Sequence, residues 1–147
     1  MSQVRLRAVE PDDLPLFFEH QRDPVAAKLA GFESRDREAF DQHWQRVQSD
    51  EANVTRTVVL RDVVVGSIGS WEQNGRTLVG YWVDRAYWGR GVATAALTLL
   101  LAELARRPLC AYVAAHNAAS VRVLTKCGFR LDPGGEADPD ELLLVLR

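Results

Sequence analysis

The sequence predicts an α/β (α+β) fold, a mixed, mainly antiparallel sheet of about 6–7 strands flanked by about four helices. Three observations carry this. Three β-rich runs, Val54 to Leu60, Val63 to Trp71 and Arg76 to Val83, are separated by Arg61-Asp62 and by a turn at Gln73-Asn74-Gly75, where Asn-Gly is the strongest hairpin signal. A long apolar helix begins at Val92, directly after Gly89 and Gly91. A strand-like run from Leu109 to Ala115 then leads into a second helix that starts at polar Asn117 and stops at Gly128.

Taken in order, Val4, Leu6 and Ala8 alternate with Gln3, Arg5 and Arg7 as a first strand, giving four antiparallel strands before the glycine turn. Glu10-Pro11-Asp12-Asp13 opens a helix with acids in its first turn and Leu14, Leu16, Phe17 and Phe18 on its inner side, and Asp23-Pro24 ends it. The Ala-rich run Pro24 to Phe32 stays open. Ser34 is expected to cap a helix through about Gln48, with Phe40, Trp44 and Val47 at helical spacing. The helix from Val92 to about Arg106 carries Leu97, Leu99, Leu100, Leu101 and Leu104, reads as a buried spine, and is stopped by Arg106-Arg107-Pro108. Asp132-Pro133-Gly134-Gly135 is a loop before a last strand, Glu141 to Leu146.

At 147 residues, 47% apolar and 26% charged, residues 1–147 are expected to form one folded domain. The net charge of −2, with both signs interspersed, argues against nucleic-acid and membrane partners. No run approaches the ~18 apolar residues of a membrane helix and the first residues lack a signal-peptide pattern, so a cytoplasmic location is expected. Cys110 and Cys127 lack the paired spacing of a zinc site, so no metal is expected. Both read as reduced, buried thiols, with a reactive Cys127 as the alternative.

The glycine turn carries the chemistry. The first amides of a helix have no partner within it and point outward at the positive end of the macrodipole, where an anion can sit. Glycines at 89 and 91 leave the backbone approachable, Ala93, Ala95 and Ala96 keep the first turns thin, and Arg85 and Arg90 are expected to add positive charge. The alternative is a tight turn that simply needs positive φ.

Gly80-Tyr81-Trp82, Trp88-Gly89-Arg90-Gly91-Val92-Ala93-Thr94, and Asn117-Ala118-Ala119-Ser120 running on to Lys126-Cys127-Gly128-Phe129 together resemble the GNAT superfamily of N-acetyltransferases, and within it the ribosomal-protein-alanine acetyltransferase branch. The superfamily's pyrophosphate motif usually opens with Gln or Arg at the place of Trp88, where that branch commonly has Trp. The resemblance implies a GNAT-like sheet in which the strand ending at Val83-Asp84 bulges and splays from the Leu109 strand. It also implies that the chain takes acetyl-CoA as cosubstrate and passes the acetyl group to a primary amine, a small molecule or a protein N-terminus, by direct attack in a ternary complex. The chain would act as a monomer or homodimer. The implied cofactor contacts are Val83, Arg85, Trp88, Gly89, Arg90, Gly91, Val92, Ala93, Thr94, Asn117, Ser120 and Lys126.

Acetyl transfer from a thioester needs an oxyanion donor, a proton acceptor for the amine and a proton donor for the leaving thiolate. Many members place a Tyr where this chain has Leu124; the branch has Ser at Asn-x-x-Ser, so the resemblance gives Ser120 the donor role, against a plain early-turn serine. Leu78 stands where branch members often carry Glu, so the base is open among Glu72, His116, Glu33, Asp36 and water. Trp71, Tyr81, Trp82, Phe32 and Trp44 are candidates for the acceptor cleft, at least two of them as packing residues. The rival readings are a catalytically degenerate acyl-CoA sensor or interaction module, and a nucleotide-phosphate binder, which lacks Lys-Ser/Thr after the glycines.

Overall fold

The structure is a computed structural model that describes residues 3–135 and 137–147. Seven strands, β1 (Val4–Ala8), β2 (Val54–Leu60), β3 (Val63–Gln73), β4 (Arg76–Val83), β5 (Leu109–Ala114), β6 (Arg130–Leu131) and β7 (Glu141–Leu146), form one sheet in the order β1-β2-β3-β4-β5-β7-β6. All neighbours are antiparallel except β4 and β5. Both hairpin turns have positive φ at their central residues, Arg61 (49°) with Asp62 (69°) and Asn74 (51°) with Gly75 (78°), the twist that suits adjoining strands.

The helices are α1 (Leu14–Gln21), α2 (Pro24–Ala30), α3 (Arg37–Ser49), α4 (Val92–Glu103) and α5 (Ala118–Lys126). The fifth, beyond the expected four, is α2: the Asp23 carboxylate accepts from the Val25 amide, Pro24 needs no partner at the first position, and Gly31 closes the helix at φ 66°. Asp36, not Ser34, caps α3, accepting from the Ala39 amide at 2.8 Å. In α1, which follows a 3-10 turn (Pro11–Asp13), Phe17 and Gln21 are buried on one face four residues apart, and Leu16 lies off that face, exposed to solvent.

That turn buries Asp13. Its carboxylate takes both Arg7 guanidinium nitrogens (2.7 and 2.9 Å), the Glu10 amide (2.8 Å) and the Thr57 hydroxyl (2.7 Å), joining β1, the entry to α1 and β2.

Val92, Ala96, Leu97 and Leu100 of α4 pack against Val58, Val79 and Val83 on one sheet face. Burying each of these leucines contributes roughly 2–3 kcal/mol. Leu99 remains 38% exposed, so α4 buries a stripe and is not covered all round. It also ends at Glu103, short of Arg106: Leu104 turns out of helical geometry, and the Arg107 guanidinium takes its carbonyl at 2.8 Å. By strand alternation, Leu78 and Trp82 point to the other face, where Leu78 packs with Cys110, Leu143 and Val145 and the Trp82 indole donates to the His20 carbonyl of α1.

Candidate active site

β3 and β4 pair over eight positions, but β4 and β5 share one register pair, Leu78↔Cys110. Beyond it the parallel strands separate, and that splay opens a cleft of about 360 Å³. Tyr81, Trp82 and Val83 form its floor, Ala26, Leu29 and Ala30 of α2 one wall, the Trp88 to Thr94 turn a second, and Asn117 to Lys126 on α5 a third. The expected splay is present without a bulge in the β3–β4 pairing; a register shift falls instead between Val58 and Val59 of β2.

At the mouth, Gly89 and Gly91 have φ of 77° and 75°, which an L side chain adopts at a cost, and a Cβ on either would meet no atom within 4 Å. Conformation and open space thus coincide. Gly91 is the N-cap of α4, the Ala95 amide returns to its carbonyl at 3.0 Å, and the amides of 92 to 94 are left at the helix end facing the cleft. Open space and unpartnered amides together give a cradle of the kind an anion can occupy.

Trp88 keeps this turn in place: its indole N–H donates to the Val83 carbonyl at 2.9 Å. Because the Asp84 amide donates to Val65 across β3, alternation turns the Val83 N–H the other way, into the splay.

Of the expected cofactor contacts, Val83, Trp88, Gly89, Gly91, Val92, Ala93, Thr94, Asn117, Ser120 and Lys126 line the cleft. Arg85 and Arg90 do not. Arg85 is drawn to Asp23 at 2.7 Å, and the Arg90 guanidinium lies 5.4 Å over the Tyr87 ring beside a separate hollow shared with Arg61. The cleft's cations are the expected Lys126 and, one helical turn before it, Arg122, which was not among the expected contacts although the spacing of four puts both on one helix face.

Ser120 lies at the third position of α5, where its amide donates to the capping Asn117 carboxamide at 3.2 Å. Its hydroxyl is 2.6 Å from that of Tyr81. Burial of Tyr81 pushes its phenol above the ordinary range, partly offset by the Ser120 hydrogen bond, so it stays protonated. Replacing Asn117 with alanine should cost about 1 kcal/mol of stability, read as a lower denaturation midpoint. An unchanged midpoint would mean that the cap contributes nothing.

The candidate bases fall elsewhere. Glu72 lies at the far end of the β3–β4 hairpin, held by the Thr77 hydroxyl at 2.6 Å and by Arg106 at 2.9 Å. His116 is exposed with its Nε2 on the Lys28 carbonyl at 3.1 Å, Asp36 is the α3 cap, and Glu33 is exposed outside the cleft lining. Among the aromatics, Tyr81 and Trp82 line the cleft and Phe32 backs Trp82 edge-on at 5.3 Å. Trp44 packs on Phe17 and Phe40, and Trp71 folds over Gly80, where a Cβ would stand 2.8 Å from its ring.

The acetyltransferase (GNAT) domain family model matches residues 3–130. No curated protein matches the sequence significantly. Among solved structures, a domain from Methanocaldococcus jannaschii superposes with a TM-score of 0.85 at 20% identity, covering 99% of each chain. Spermidine N-acetyltransferase from Vibrio cholerae, in complex with CoA and spermine, gives 0.81 at 16% identity, covering 97% of this chain and 93% of its own. Mycobacterium smegmatis RimJ, in complex with CoA-disulfide, gives 0.75 at 21%, covering 97% and 81%. Those likenesses concern the fold; the family match spans most of the sequence, and with it this chain belongs to the GNAT acetyltransferase family.

Proposed function

We propose that the chain is an acetyl-CoA-dependent N-acetyltransferase that transfers the acetyl group to a primary amine by direct attack in a ternary complex. The observation that carries this reading is one continuous cleft, running from an anion cradle at the N-terminus of α4 to the Tyr81–Ser120 hydroxyls in the splay. The amides of 92 to 94 take the diphosphate, Lys126 and Arg122 offset its charge, and pantetheine follows the opened edge of β4. The Val83 N–H serves the carbonyl oxygen as negative charge develops there. Ser120 donates to the departing sulfur.

The amine enters along the wall of Ala26, Leu29, Ala30 and Trp82. Since no carboxylate or imidazole is among the described residues of the lining, we assign its deprotonation to water. The complexes of the Vibrio cholerae protein with CoA and spermine and of the Mycobacterium smegmatis protein with CoA-disulfide support the cosubstrate. Residues 1–147 acting as one domain in the cytoplasm completes the reading.

The test is thiol release from acetyl-CoA against a panel of N-terminal alanine peptides, free amino acids, polyamines and aminoglycosides. Amine-dependent release is expected. CoA binding without release to any of them would leave an acyl-CoA sensor.

A further inference from the structure

Leu124 occupies the place where the resemblance leads one to expect a phenol, and it is buried at 3% exposure in the core rather than facing the cleft. The cleft nonetheless contains a phenol. It comes from the floor, from Tyr81 on β4, and it meets the one hydroxyl that α5 contributes to the lining.

A serine hydroxyl in the first turn of a helix can turn back onto a nearby backbone group. A hydrogen committed to that bond is not available to a ligand. The Tyr81 hydroxyl alters the geometry: Tyr81 and Ser120 Oγ are 2.6 Å apart, and the phenol is by far the more acidic of the two groups. With Tyr81 donating, Ser120 Oγ is occupied as an acceptor and its own hydrogen is free to point into the cleft.

We infer that Tyr81 is a positioning residue for acyl transfer, holding the Ser120 hydroxyl so that its hydrogen is aimed at the sulfur of the departing CoA. This rests on the acetyltransferase reading above. Because the two residues stand on β4 and α5, on either side of the splay, the alignment also depends on the width of the cleft. The ring of Tyr81 packs against the main core cluster independently of its hydroxyl, so Tyr81→Phe removes the hydrogen bond and leaves the packing.

Two measurements on the full chain test this. In the first, the thiol of bound CoA is titrated by its ultraviolet thiolate absorbance, which needs no acceptor. Arg122 and Lys126 also line the cleft and favour a thiolate by charge alone, and Cys127 lies close to Tyr81, so the comparison is between wild type, Tyr81→Phe, Ser120→Ala and the double variant. The thiolate should form at lower pH in wild type than in either single variant, and the double variant should match the singles.

In the second, with an acceptor in hand, Tyr81→Phe should lower kcat about tenfold or more, with the KM for acetyl-CoA within about twofold of wild type. The double variant should be no slower than the slower single, the signature of two groups acting as a unit. Overturning results are a bound thiol that titrates identically in wild type and Tyr81→Phe, a kcat within about threefold of wild type, or losses that simply multiply. CoA binding with no such differences sinks the role of Tyr81 while leaving the acetyltransferase reading; failure of the wild-type chain to bind CoA sinks both.

Discussion

Replacing Gly91 with aspartate is expected to abolish CoA binding while the fold survives. The new Cβ has no neighbour within 4 Å, so nothing is displaced. Positive φ at 75° costs an L residue about 1–2 kcal/mol, less for aspartate, which tolerates that region, and its carboxylate is favourable at a helix N-terminus. What changes is the occupant of the cradle. A carboxylate roughly 4 Å from a phosphate charge costs about 4 kcal/mol at an effective dielectric near 20, or about a thousandfold in affinity. Gly91→Ala separates conformation from charge, since it bears the φ penalty alone and should keep most of the affinity. Calorimetric titration of CoA, with circular dichroism as the folding control, reads both variants. Wild-type affinity in Gly91→Asp would remove the diphosphate from this turn.

Asp13→Ala is expected to produce the largest loss of stability, about 3 kcal/mol, or roughly 10 °C in Tm for a chain of this size. The substitution strands the Thr57 hydroxyl, which is fully buried, and the Glu10 amide, and leaves Arg7 only its longer contact to the Glu10 carboxylate at 3.4 Å and the Ala8 carbonyl. The value belongs at the lower end of the range for broken buried pairs because the Arg7 side chain is 28% exposed and regains water. A change in chemical midpoint smaller than a third of that expectation would show that the cluster contributes little.

The same carboxylate predicts a pH dependence. Burial alone would raise its pKa; the Arg7 pair, the Glu10 amide and the Thr57 hydroxyl more than offset this, and the folded value lies below the ordinary 3.8. The folded chain therefore holds Asp13 ionised where the unfolded chain binds a proton. Its contribution is complete above the unfolded value and is lost as pH falls through the depressed folded one. Asp13→Asn should flatten that acid limb of the stability curve.

Local chemistry made much of the framework legible. Alternation of apolar residues marked β1, the two positive-φ turns marked β2 to β4, and the glycines before Val92 marked a helix mouth open to an anion. Asn117 as the cap of α5 was equally readable, since the capping bond spans three residues. These are all short-range decisions. The residue itself, or its immediate neighbours, provides the partner.

The departures share the opposite cause. Asp36 displaced Ser34 as the cap of α3 within a few residues, but Arg85 left the cleft for Asp23 of the α2 cap, and Glu72 was taken by Arg106 from the segment after α4. A charged side chain goes to the nearest opposite charge that folding presents, and separation along the sequence gives no measure of that distance. Asp13 likewise read as an ordinary first-turn acid until β2 brought Thr57 over it.

By itself, then, the sequence determined the order of the elements, the turns between them and the cradle at α4, because each depends on periodicity or on backbone conformation at a named residue. Only the tertiary structure decided where β4 parts from β5, which cations face the cleft, and that a phenol on a strand meets a serine on a helix. Side chains 39 positions apart come within 2.6 Å because the sheet and α5 pack around the same core, and that packing is set by all of their apolar neighbours together.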